Sequence, residues 1–185
     1  MQEFFTPIDT SQFNGANKYA ATSYGKLIKA YLQGGDFPSL ENIHLAIVGV
    51  EEDRKGLNNE GCGLAADYVR ENLYKLFQGN YHIKIADLGN IKKGNSIDDS
   101  YFAVTDVLSQ LLKKNIIPIV IGGSQDLTYC NYLAYQKMEQ TINIVAVDSS
   151  FDIGDGEKTL DSQSYLSKII LHKPNILFNF SNVGY

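Results

Sequence analysis

What most constrains this chain is a regular alternation of two patterns. Short apolar runs rich in β-branched residues trade places with segments of helical period. Residues 44–50 (HLAIVGV) are too few for a helix and predict a strand. A polar loop containing Gly and Asn follows over 51–63. Residues 64–77 then place Ala65, Tyr68, Val69, Leu73 and Leu76 on one helical face. Residues 81–88 predict a second strand. Ser96-Ile97-Asp98-Asp99 is a capping signal, opening a helix with Val104, Val107, Leu108, Leu111 and Leu112 on one stripe. Strands over 116–121, 142–147 and 176–180 alternate with helices over 127–138 and 162–171. The strands are apolar runs rather than strict alternations, so both faces of the sheet should be covered. The pattern predicts an α/β fold: three layers (αβα) around a doubly wound, mainly parallel sheet.

Length and composition fit this. The chain has 185 residues, which predicts a single domain over 1–185. Within it, 1–42 reads as an N-terminal arm (1–16) and a helix (18–32), and 43–185 as the α/β body. The net charge is −5, with no dense Lys/Arg block, which argues against nucleic acid and anionic membrane as partners. No apolar run approaches the ~18 residues of a membrane span. The start, MQEFFTPID, has neither the basic nor the apolar region of a secretory signal. The two cysteines, Cys62 and Cys130, read as reduced and structural, so the expected location is the cytoplasm.

In open parallel sheets, ligands bind beyond the carboxyl ends of the strands. Three such segments stand out. Gly122-Gly123-Ser124-Gln125-Asp126 lies between a strand and a helix. Its glycines let backbone approach a ligand, although a plain capped turn uses the same residues. Asp148 and Asp152 follow the next strand, with Asp155 beyond. Carboxylates there suit a hard divalent cation, and they also cap turns. The loop after the first strand holds Asn59, Gly61 and Gly63, and reads as a substrate loop or a simple connection. His44, His82 and His172 fall on none of these segments and read as structural.

Together these segments resemble the ureohydrolases: arginase, agmatinase and, most closely, formimidoylglutamase. Val48-Gly49-Val50-Glu51-Glu52-Asp53 resembles the family's Val-Gly-Val-Pro-x-Asp. The stretch from Asn59 to Arg70 resembles its Asn-x-Gly loop and following helix, and Asp87-Leu88-Gly89 its Asp-x-Gly. Gly122-Gly123-Ser124-Gln125-Asp126 lies on Gly-Gly-Asp-His-Ser, and Asp148-Ser149-Ser150-Phe151-Asp152 on Asp-Ala-His-x-Asp. The resemblance implies an arginase-like fold, incomplete at its C-terminus. It also implies two Mn²⁺ ions that activate a hydroxide against amidine or guanidine carbon.

The ligand positions depart from that pattern. Gln125 and Ser150 stand where the family has histidines, and Ser124 where it has Asp. Only Asp148 and Asp152 remain, with Asp126 and Asp155 as auxiliary carboxylates. Neutral oxygen donors replace imidazole poorly, so no cofactor is expected for this chain, and Mn²⁺ only if the site works. The expectation is therefore a catalytically impaired ureohydrolase-fold protein. Two alternatives stand beside it: an amidine or guanidine C–N hydrolase in a full-length form, and a protein–protein module. The expected partners are a small amidine or guanidine ligand and either a second copy or the remainder of a longer chain.

Overall fold

The computed structural model describes residues 1–9, 19–155 and 159–185. The strands are β1 (Phe5–Thr6), β2 (Lys29–Ala30), β3 (Leu45–Val50), β4 (Ile85–Ile91), β5 (Ile117–Ile121), β6 (Ile142–Val147) and β7 (Leu177–Val183). The α-helices are α1 (Tyr24–Leu27), α2 (Ala65–Leu73), α3 (Ile97–Lys113), α4 (Leu127–Gln136) and α5 (Tyr165–Leu171). Strand β3 is central and runs parallel to β4 on one side and β5 on the other. Strands β1 and β2 both add to β4, antiparallel and parallel respectively.

The expected single sheet is divided. β6 and β7 pair in parallel as a separate two-stranded sheet. β5 and β6 do not pair, and α4 joins them. Coverage is also partial. Ile117 and Ile119 of β5 and Val145 and Val147 of β6 are exposed, so one face of this half lies bare.

The other face is packed. Ala46, Val48 and Val50 meet the α3 stripe of Val104, Val107, Leu108 and Leu111, all buried. Each such side chain contributes about 1.5–3 kcal/mol on burial. Ser96 and Asp99 form the expected capping box at the start of α3. Tyr132, Leu166 and Ile169 form a second cluster that seats α4 and α5 on Ile142, Ile144, Leu177 and Phe180. Cys130 is buried in the main core, and burial pushes its thiol up to about 12.

Helix α2 corrects the expected apolar stripe. Ala66 and Arg70 are its buried residues, while Tyr68 and Val69 are exposed, as is Leu76 just beyond it. The reason is what the sheet presents to it. Gly49 lies there without a side chain, where an added Cβ would strike Asn90 and Ala66. Asp87 also lies there, fully buried, and an isolated buried carboxylate is expensive. Arg70 answers it with two bonds of 2.8 and 2.9 Å, and donates a third to the Gly89 carbonyl at 3.0 Å. Tyr74 donates its hydroxyl to Asp87 at 2.9 Å.

The expected helix over 18–32 is also corrected. It is one turn, Tyr24–Leu27, followed by extended backbone at Ile28. Tyr31 donates its N–H to the Asp87 carbonyl, so the edge of β4 captures this segment as a strand. Residues 10–18 lie outside the described residues. The second strand starts at Ile85 rather than 81, where pairing with Leu45 begins. The expected helix over 162–171 starts at Tyr165, after a turn in which Ser164 bonds Asp161. No helix among the described residues is long and apolar enough to cross a membrane.

The Arg70–Asp87 pair yields a test. Arg70→Met leaves a buried uncompensated carboxylate and should cost about 3–5 kcal/mol in urea denaturation. Arg70→Lys should recover only part of this, because it loses the two-pronged contact.

Candidate functional site

The site lies where the expected strands end. After β5 the backbone takes two consecutive left-handed glycines, Gly122 at φ +85° and Gly123 at φ +74°. A side chain at Gly123 would strike Leu127 and the Glu52 carbonyl. The turn is fastened from below. Gly123 donates to the Cys62 carbonyl at 3.1 Å, and Ser124 to the Glu52 carbonyl at 3.0 Å. The Glu52 side chain is itself fixed. Ser100 donates to it at 2.6 Å, and Arg54 binds it through both of its oxygens. These contacts point Gln125 outward at the head of α4.

Gln125 meets the loop after β6. Its amide donates to Asp148 at 2.9 Å and to the Tyr165 hydroxyl at 3.2 Å. The second Asp148 oxygen accepts the Ser150 backbone N–H at 3.0 Å. Ser150 donates its hydroxyl to Asp152 at 2.7 Å. Asp152 adopts φ +47°, a left-handed conformation that Asp tolerates better than most residues. Asn182 of β7 holds the loop by donating to the Ser150 carbonyl at 2.8 Å. The hydrogen bonds from Gln125 and the Ser150 backbone keep the Asp148 carboxyl below its usual range.

Four of the expected residues therefore come together: Gln125, Asp148, Ser150 and Asp152. Asp126 does not join them. It turns into the core, fully buried, and accepts the Tyr101 hydroxyl at 2.6 Å. Ser124 is also buried, and its hydroxyl has no protein partner. Asp155 is exposed further along the loop. Asn59 lines the same hollow as Gly122, Gly123 and Gln125. Gly61 and Gly63 lie behind it, Gly61 donating to Asp53 at 3.1 Å and Gly63 tucked against the Glu51 carbonyl. Tyr165 was not expected. Its hydroxyl sits in the cluster while its ring packs in the core, and spacing alone marks only the ring.

As donors to a metal pair, these residues fit poorly. The cluster offers two carboxylates, an amide and a hydroxyl, and the amide and the hydroxyl each donate a hydrogen to a carboxylate. Among the described residues, no three His, Cys, Asp or Glu side chains converge on a metal position.

The arginase family model matches residues 43–176, most of the chain. The chain belongs to the arginase family. Among curated proteins, this arginase-family chain is 26% identical over 171 residues to formimidoylglutamase of Streptococcus gordonii. The match covers 86% of this chain and 52% of that protein. Formimidoylglutamase of Streptococcus pyogenes serotype M49 is 24% identical over the same length and shares. Among solved structures, formimidoylglutamase from Bacillus subtilis superposes with a TM-score of 0.73 at 16% identity. It covers 88% of this chain and 52% of that one. Trypanosoma cruzi formiminoglutamase, solved with Mn²⁺, gives 0.70 at 17% identity over 88% and 58%. These structural likenesses establish the arginase-like α/β fold. The chain spans about half the length of the curated relatives it matches.

The Gln125–Asp148 contact is open to titration. A carboxyl depressed in the fold adds stability above its unfolded pKa and loses it as pH falls through the folded value. Gln125→Ala should therefore raise the Asp148 pKa toward the ordinary 3.8 and shift the onset of local acid loosening upward. Carboxyl-detected NMR titration of wild type and variant measures both.

Proposed function

We propose that this chain is a formimidoylglutamase-like protein that binds rather than hydrolyses, its metal position rebuilt as a hydrogen-bonded carboxylate cluster. The carrying observation is that Gln125 and Ser150 both donate to carboxylates, Asp148 and Asp152. Imidazole at those positions would offer lone pairs to a transition metal. An amide N–H and a hydroxyl proton instead occupy the carboxylate oxygens a metal would use. The ligand class that suits the lone pairs left on these two carboxylates is a small amidine or guanidine cation, which approaches through N–H donors and needs no full coordination shell.

Elemental analysis after Mn²⁺ soaking and desalting should find less than one equivalent. The double variant Gln125→His with Ser150→His should bind Mn²⁺ at least about tenfold more tightly in calorimetry. Two equivalents in the wild-type chain would overturn the reading.

A second reading is that a full-length form is a Mn²⁺-dependent hydrolase of amidine or guanidine C–N bonds. The retention of Asp148 and Asp152 at the end of β6 supports it. The burial of Asp126 against Tyr101 counts against Asp126 as one of its ligands. This reading expects amidine hydrolysis by the full-length protein with Mn²⁺, abolished by Asp148→Ala. No turnover across that substrate class would dispose of it.

A further inference from the structure

Helix α5 has only seven residues, and polar contacts tie both of its ends to α4. At its start, the Tyr165 hydroxyl accepts the Gln125 amide at 3.2 Å. At its other end stands His172, the first residue past the helix. Both ring nitrogens of His172 meet α4. Nδ1 lies 2.7 Å from the Tyr129 hydroxyl, and Nε2 lies 2.7 Å from the Gln136 amide nitrogen.

The surroundings fix which ring nitrogen carries the proton. The same Gln136 nitrogen donates to the Pro174 carbonyl at 3.0 Å, and a carbonyl can only accept. The nitrogen of the Gln136 amide, not its oxygen, therefore faces this corner. Its other hydrogen is left for His172 Nε2, which must present a lone pair. The proton of the neutral ring is then on Nδ1, donated to the Tyr129 oxygen.

Imidazolium does not fit this arrangement. Protonated, Nε2 would aim its N–H at the hydrogens of Gln136. Turning that amide over would give Nε2 an acceptor, but would set the amide oxygen against the Pro174 carbonyl oxygen. Either way the corner loses a hydrogen bond. The other groups around the ring do not offset this. On α4 the titratable neighbours are Tyr129 and Tyr132. Their rings lie 5.8 and 5.3 Å from the imidazole by centroid and attract a cation only weakly. Burial pushes the Tyr129 hydroxyl up, so it stays neutral. Along the chain, Lys168 of α5 and Lys173 of the following turn add positive charge. Among the described residues, no carboxylate hydrogen-bonds the ring. Burial also holds the His172 pKa below the ordinary 6.5.

The turn beyond His172 is fastened by other groups. Asn175 donates to the Ile169 and Ile170 carbonyls at 3.0 and 2.7 Å, and the Tyr132 hydroxyl accepts the Ile176 N–H at 3.1 Å. Charging His172 therefore frees the end of α5 from α4 without opening the β6–β7 sheet.

We propose that neutral His172 is a latch that holds the end of α5 on α4, keeping Tyr165 on Gln125, and that protonation releases it. His172 is a positioning residue, acting on the cluster through α5. The latch is independent of whether the cluster binds a cation. A base held below its ordinary pKa by the fold adds stability above 6.5 and loses it as pH falls through the folded value. Asp148, held below 3.8, is already ionised across that range.

Nitrogen-15 NMR on the whole chain should find Nδ1 protonated and Nε2 bare at about pH 8, with a His172 pKa below 6.5. The Tyr165 Cζ shift should titrate with the same midpoint. From about pH 8 to about pH 5, the Ile169, Ile170 and Leu171 amides should open at least about threefold more readily, once the intrinsic exchange rate is removed. His172→Phe keeps a ring in the corner and should abolish this dependence. Gln136→Glu gives Nε2 a charged acceptor and should reverse it, the latch tightening as pH falls. A protonated Nε2 at about pH 8, or a His172 pKa at or above 6.5, would overturn the proposal. So would a Tyr165 signal that ignores His172, or an unchanged pH dependence in either variant.

Discussion

A single buried ion pair supports the architecture that the site depends on. Arg70 is the one long side chain that α2 commits to the sheet, and Asp87 of β4 is its partner. Remove it and α2 keeps against the sheet Ala66 at Gly49 and the Asp67 contact with Asn90, because Tyr68 and Val69 are exposed. What α2 holds is the loop before it. That loop supplies the Cys62 carbonyl to Gly123, and Ala66 itself lies against Gly122. The chain of dependence runs from a charge pair in the core, through a helix, to the turn that aims Gln125.

That turn in turn holds two sheets in register. No strand among the described residues bridges β5 and β6, so contact between the two sheets falls to helices and loops. Helix α4 gives the roof. At the carboxyl ends, Gln125 following β5 bonds Asp148 following β6. Further along, Ser162 donates to the Lys55 carbonyl, and Leu57 donates to the Ser162 hydroxyl. Gln125 therefore does two things that a metal-ligating imidazole in the same place would not do alone. It neutralises a lone pair on Asp148, and it ties the halves together without a cation.

What was legible in the sequence follows from how local each cause is. The capping box at Ser96 and Asp99 and the stripe of α3 depend on neighbours three and four residues apart, and both formed as read. The face of α2 depends on Asp87, 17 residues beyond Arg70, so periodicity alone chose the wrong side. The segment over 18–32 has a helical apolar rhythm, yet the open edge of β4 offers it backbone partners, and pairing prevailed. Asp148 and Asp152 were marked by their place after a strand, Gln125 and Ser150 by the resemblance, and the fold brings the four side chains together. Asp126 was misplaced because the hydroxyl that draws it inward belongs to Tyr101, on a different helix. Tyr165 was missed for a related reason: one residue serves the core with its ring and the cluster with its hydroxyl.

The hollow beside β5 and the carboxylate cluster meet at Gln125, which lines the one and holds Asp148 in the other. That bond is donated to a carboxylate whose pKa is held low, and hydrogen bonds to charged groups contribute more than neutral ones. The same bond spans the loops that follow β5 and β6. A cation that takes Asp148 therefore competes with a contact that ties the two sheets together, so ligand binding at Asp148 and the spacing of the sheets are coupled.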